Sequence, residues 1–109
     1  MANGAIKHDV QYVSSFVKEK DIAMDGTIAA FTPTKDGLYA VVAKNFTTAG
    51  DVGAYIAADS GFNDYIQAGP HYINEMYARS TTGLVPLKAG TTVYVRAFAT
   101  ETAYILRAN

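Results

Sequence analysis

The residues able to do covalent or metal chemistry are few and scattered. The chain has two histidines, His8 and His71, and no cysteine, so a thiolate nucleophile, a thiolate zinc site and a disulfide framework are all excluded. A β-sheet metalloenzyme site gathers several histidines and a carboxylate on adjacent strands. Two distant histidines do not supply that set, and each is expected to be a surface or hydrogen-bonded side chain. Ser14, Ser15, Ser60 and Ser80 have no histidine near them in sequence, and none stands in a Gly-x-Ser-x-Gly elbow. No glycine-rich phosphate loop occurs. Asp59-Ser60-Gly61-Phe62-Asn63-Asp64 brings Asp59, Asn63 and Asp64 close together, which calcium accepts, but it lacks the spacing and distal Glu of an EF-hand loop. An Asx turn is the expectation there. Asn45-Phe46-Thr47 fits a glycosylation sequon, which has meaning only in a secreted chain. The expectation is a non-enzymatic protein with no catalytic residue, no cofactor and no metal.

The elements that carry these residues are short. A chain of 109 residues, half of them hydrophobic, suits one domain with a real core. Nine basic and ten acidic residues leave a net charge of −1, without the basic run that marks a nucleic-acid binder. No apolar stretch has signal-peptide character, and none approaches the roughly 18 residues of a membrane span. Eight Tyr and five Phe accompany a complete absence of Trp. Alanine alternates with Val, Ile and Tyr in short runs closed by Gly, Asp, Asn or Thr, which is strand patterning.

Strands are predicted at Thr27–Thr32, Leu38–Lys44, Val52–Ala58, Tyr65–Ala68, Tyr72–Ala78, Gly83–Leu87, Thr91–Ala99 and Ala103–Ala108. Lys35-Asp36-Gly37 is predicted to be a hairpin turn, and Pro86 makes Gly83–Leu87 an edge strand. Residues 10–20 mix helical and strand spacing and are taken as extended. The expected organisation is an N-terminal strand or extended attachment arm over 1–22, with Tyr12 and Phe16 as its anchoring aromatics, followed by a β-sandwich over 23–109. The fold class expected is all-β, an antiparallel sandwich of seven to nine short strands at jelly-roll spacing.

Strand periodicity separates faces. In Thr91–Ala99, Val93, Val95, Ala97 and Ala99 form a small aliphatic row, opposite Tyr94, Arg96 and Phe98. Arg is rarely buried unpaired, so the second row is assigned outward. In Val52–Ala58 the corresponding rows are Val52, Ala54, Ile56 and Ala58 against Gly53, Tyr55 and Ala57. Aromatics beside an Arg on an outer face match the composition of interface centres. Tyr55, Tyr94, Arg96 and Phe98 are therefore the candidate subunit or partner interface. The alternative is that a covering loop buries both rows and Arg96 reaches water along its stem.

Two passages resemble a known family: Ala30-Phe31-Thr32-Pro33-Thr34-Lys35-Asp36-Gly37-Leu38-Tyr39, and Ser80-Thr81-Thr82-Gly83-Leu84-Val85-Pro86-Leu87-Lys88-Ala89-Gly90-Thr91-Thr92-Val93-Tyr94-Val95. Together they are similar to the jelly-roll modules of complement globular heads and tumour necrosis factor, and to receptor-binding or decoration modules of bacteriophage tails, fibres and capsids. The short, cysteine-free, Ala/Thr-rich chain resembles the phage modules best. That resemblance implies a homotrimer packed about a three-fold axis through one face of the sandwich, without catalytic residues. It implies a virion location after synthesis in the host cytoplasm, with capsid or tail proteins as partners. A carbohydrate-binding, receptor-binding module is the alternative, its partner a host-surface glycan stacked on Tyr65, Tyr72 or Tyr77 beside Asn63, Gln67 and Asn74.

Overall fold

A computed structural model describes residues 15–108, in ten strands with no helix among them: β1 (Phe16–Asp21), β2 (Ala29–Phe31), β3 (Gly37–Asn45), β4 (Gly50–Ala57), β5 (Tyr65–Ala68), β6 (Tyr72–Glu75), β7 (Ala78–Thr81), β8 (Val85–Leu87), β9 (Val93–Phe98) and β10 (Thr102–Ala108). All pairings are antiparallel. The first sheet runs β1-β10-β3-β7, with β8 also on β3; the second runs β2-β9-β4-β5, with β6 also on β4. The chain crosses repeatedly between the two layers of an antiparallel β-sandwich. One more strand is present than sequence patterning gives, because Tyr72–Ala78 is broken. Asn74 and Tyr77 both sit at φ 54°, which ends β6 at Glu75 and starts β7 at Ala78 in the opposite sheet.

The core is made by the predicted inner rows. Val93, Val95 and Ala97 of β9 and Val52, Ala54 and Ile56 of β4 face Tyr39, Val41 and Ala43 of β3, Ala103 and Ile105 of β10, and Val85 and Leu87 of β8. Phe31 closes one end with its ring edge-on to Tyr39, centroids 5.6 Å apart. Each such large apolar side chain contributes about 1.5–3 kcal/mol by leaving water. Ala58, predicted to continue the inner row, is exposed just beyond the end of β4.

Lys35-Asp36-Gly37 is not a hairpin turn. β2 pairs with β9 and β3 with β10, so this segment carries the chain from one sheet to the other. Its polar groups are satisfied across the crossover. Asp36 Oδ1 accepts from the Ala89 N–H at 2.8 Å, and the buried Tyr39 hydroxyl donates to the Lys35 carbonyl at 2.6 Å.

The opposite end of the sandwich is fastened by two polar side chains. Asn45 is fully buried. Its Nδ2 donates to the carbonyls of Gly50 and Glu75, at 3.0 and 3.1 Å, and its Oδ1 accepts from Thr100 N–H at 2.7 Å. One amide thus joins β3 to β4, to β6 and to the turn before β10; the sequon is a structural asparagine. Beside it, the Glu101 carboxylate accepts from the N–H groups of Phe46, Thr47 and Thr48 and from the Thr47 hydroxyl. These bonds, the Thr47 hydroxyl foremost, hold its carboxyl below the usual range.

Candidate functional site

The outer row of the second sheet holds the residues singled out from the sequence. Gly53 lies opposite Phe98 and Tyr55 opposite Arg96, and directly opposed residues in an antiparallel pair share a face. Tyr55, Tyr94, Arg96 and Phe98 are all half-buried. Three of them meet. The Tyr55 and Phe98 rings are edge-on at 6.3 Å, and the Arg96 guanidinium lies 5.1 Å from the Phe98 centroid.

Sequence patterning did not place three further members, because loops and short strands deliver them. Phe62, at φ 53° in the 59–64 turn, puts its ring 5.7 Å from the Arg96 guanidinium and edge-on to Tyr65 at 5.4 Å. Tyr65 is in turn edge-on to Tyr55 at 6.1 Å. His71 packs 5.3 Å from Phe98 and hydrogen-bonds the Tyr55 hydroxyl through Nδ1, while its Nε2 lies 3.7 Å from Asp51 Oδ2. Burial pushes the Tyr55 phenol above its ordinary pKa, and neighbouring Tyr65 adds to this. One local sign of this packing was in the sequence. Gly53 interrupts a strand, and a Cβ there would lie 2.8 Å from His71 Nδ1 and 3.0 Å from the Tyr55 oxygen; a strand glycine often marks such a close approach.

The 59–64 segment is the expected Asx turn. Asp59 Oδ1 accepts from the N–H groups of Asn63 and Asp64 at 3.0 and 2.8 Å. These bonds, that from Asp64 foremost, keep its carboxyl below the usual range.

The outer face of the first sheet is the other prominent surface. Register puts Phe16 opposite Ala108, Leu106 opposite Ala40, Tyr104 opposite Val42, Ala108 opposite Leu38, and Leu38 opposite Pro86. All of these side chains therefore share the side away from the core. An antiparallel sheet that meets water on one side ordinarily alternates apolar-in with polar-out. Here the outward rows of β10 and β3 are apolar. Ala40 and Val42 are themselves covered, and the exposed apolar area comes from Phe16 at 55%, Leu38 at 39% and the adjoining Leu84 at 42%. Beyond Phe16, β1 turns polar, with Lys18 opposite Leu106 and Asp21 opposite Tyr104. A groove of about 320 Å³ runs along this face, lined by Phe16, Ala40, Leu84, Tyr104, Leu106, Thr81, Thr82 and Arg79. Lys44 stands at its margin, 5.7 Å from the Tyr104 centroid and 5.6 Å from that of Phe46.

Phe16, expected in an attachment arm, is at the start of edge strand β1 and forms one wall of this groove. Tyr12 and His8 lie outside the described residues. Among the described residues, no helix is long and apolar enough to cross a membrane. No family model, curated protein or solved structure matches this chain.

Proposed function

We propose that this chain is a non-enzymatic structural module that assembles with copies of itself through the outer face of its first sheet. The carrying observation is the pair of apolar outward rows of β10 and β3 together with Phe16 at the start of β1, where Phe16, Leu38 and Leu106 occupy positions that a solvated sheet gives to polar side chains. Contiguous apolar surface of this kind is costly to leave in water and favours burial against a partner. The resemblance of 30–39 and 80–95 to trimeric jelly-roll heads sets the copy number at three, with the axis running along this face. The same resemblance gives the setting: a small capsid-decoration or tail-fibre head module in a virion, bound to capsid or tail proteins.

Size-exclusion chromatography with light scattering tests the assembly. The expected result is a trimer, converted to a folded monomer by Leu106→Asp, because a carboxylate in a closed apolar interface lacks solvation and a partner. A wild-type monomer at micromolar concentration that also binds no virion protein would refute the proposal.

A glycan-binding reading is favoured by a separate observation. Tyr65, Tyr72 and Tyr77 are 49%, 42% and 79% exposed, and exposed aromatic rings are the usual platforms for the apolar faces of sugars. A glycan array decides between the two. Binding that is lost in Tyr72→Ala while the oligomer persists supports the receptor role, and silence across the array leaves the structural one.

A further inference from the structure

The groove on the outer face of the first sheet ends at two cations that the fold sets side by side. Lys44 of β3 and Arg79 of β7 are direct cross-strand partners, so their side chains leave the same face. Like charges in opposed positions repel, and a sheet gains nothing from pairing them. Neither is neutralised within the chain. Among the described residues, no carboxylate is in ion-pair contact with Lys44 or Arg79. The acids of this neighbourhood are placed elsewhere. Asp21, across from Tyr104, pairs with Lys18 at 3.0 Å. Glu101 accepts from the N–H groups of Phe46, Thr47 and Thr48 and from the Thr47 hydroxyl. Glu75 stands on β6 of the second sheet, opposite Gly50.

Both cations are oriented by residues of the groove. Arg79 Nε donates to Thr81 Oγ1 at 3.2 Å, which occupies Nε and leaves the two Nη groups for an anion. Lys44 Nζ lies 5.7 Å from the Tyr104 centroid. Thr81 and Tyr104 also line the groove, so the charged end and the apolar hollow share walls. Beyond them the lining is apolar, with Ala40, Leu84, Leu106 and Phe16. A volume of about 320 Å³ is near the lower end of the range for small-molecule sites. Four adjacent strands, β7, β3, β10 and β1, contribute to it, which makes it roughly 14 Å across.

We infer that this groove binds a single aliphatic chain ending in a carboxylate, with its head on Arg79 and Lys44 and its tail over Ala40 and Leu106 towards Phe16. A guanidinium presents parallel N–H groups that match a carboxylate, and the lysine adds a second charge. The tail leaves water for apolar walls. A neutral chain leaves the two cations facing each other, and a short acid leaves the walls in water. The groove lies within the face proposed to meet other copies, but this inference rests on the cation pair and is tested on a subunit freed from that contact.

Isothermal titration calorimetry of the full chain with decanoate, decanol and acetate, all at submicellar concentration, is the test. One decanoate per chain is expected, bound at least tenfold tighter than decanol, with no heat from acetate. Arg79→Gln and Lys44→Gln should each weaken decanoate by about tenfold and leave decanol unchanged, the loss expected for a charge-assisted hydrogen bond. Arg79 is exposed and Lys44 partly so, and a thermal melt verifies that both variants fold. Amide signals of Thr81 and Leu84 should move on binding. Leu38→Asp, outside the groove lining, should dissociate the trimer and leave decanoate binding intact. A wild-type monomer that binds decanoate therefore refutes the trimer alone. The inference is overturned if decanoate binds no tighter than decanol, or if either glutamine variant leaves its affinity unchanged. Signals that move on another surface, or a Leu38→Asp chain that is folded and does not bind, also overturn it.

Discussion

Asn45→Ala is the sharpest test of how this sandwich is held closed. The wild-type amide is fully buried and makes three hydrogen bonds, two donated to the Gly50 and Glu75 carbonyls and one accepted from Thr100 N–H. Alanine removes all three and leaves each partner without its bond. A net loss of about 1 kcal/mol per bond gives a floor near 3 kcal/mol, and incomplete rehydration of the orphaned groups raises this to about 5 kcal/mol. A domain of this size has on the order of 5–15 kcal/mol in total, so the variant is expected to fold with a much reduced margin. With a urea m-value of roughly 1.5 kcal/mol/M, the unfolding midpoint should fall by about 2–3 M at unchanged slope. Asn45→Asp separates donors from acceptor. It keeps the acceptor for Thr100 but sets a carboxylate against two carbonyls, so it should match or exceed the alanine loss at neutral pH and recover partly when the acid is protonated. A loss below about 1 kcal/mol for Asn45→Ala would refute this account, because the end of the sandwich would then be held by something other than the amide.

The remaining expectations concern the aromatic cluster and pH. Gly53→Ala should displace His71 from Tyr55 and cost about 1–3 kcal/mol by overpacking, read as loss of the His71–Tyr55 contact in nuclear magnetic resonance spectra and a lower melting temperature. An unchanged His71 environment would count against the close approach. Phe98→Asp should destabilise the monomer itself, since the ring packs against Tyr55, His71 and the Arg96 guanidinium; clean dissociation of an oligomer without loss of stability would instead make that row an interface. Asp25, Asp59 and Glu101 are all held below the usual carboxylate range, chiefly by hydrogen bonds from Thr27, Asp64 and Thr47 respectively. Carboxyls depressed in the folded state contribute stability that is present above their unfolded values, about 4, and lost as pH falls through the folded ones. Denaturant titrations should therefore show a stability plateau at neutral pH and a decline below about pH 4 that flattens when Glu101 is replaced by Gln.

Much of the fold was legible because alternation is a local signal. Val93, Val95 and Ala97 lie inward and Tyr94, Arg96 and Phe98 lie towards the outside, as period-two spacing requires. What escaped was decided by distant partners. Asp36-Gly37 has hairpin chemistry, yet β2 finds its ladder on β9, and no local pattern reports that choice. Tyr72–Ala78 reads as a single strand because its break is made by Asn74 and Tyr77 in left-handed conformations, without the glycine that would have announced it. The aromatic cluster was half visible. Its strand members follow from periodicity, whereas Phe62 and His71 arrive from outside the strands, and the one sign of them was a glycine at 53. The apolar outer face of the first sheet was harder still. Along β3 both rows are apolar, as Leu38, Ala40 and Val42 outside and Tyr39, Val41 and Ala43 inside, so alternation gives no contrast there.

That distribution of apolar surface bears on how copies can meet. A β-sandwich associates either by extending a sheet at its edge or by covering a face, and three of the edge strands here, β1, β8 and β2, are poor templates. β1 presents Lys18, Glu19, Lys20 and Asp21 in succession and is interrupted by a register shift between Lys18 and Lys20. Glu19 is drawn to Arg107 at 2.6 Å. β8 carries Pro86, and β2 is three residues long. Charge, irregularity, proline and brevity are the devices that keep edges from pairing with other chains. The apolar excess is placed instead on the outer face beside β1 and on the tip around Ile73 and Tyr77. Edges guarded in this way suppress open-ended sheet growth through β1, β8 and β2, so the proposed assembly is expected to use the apolar outer face rather than these edges.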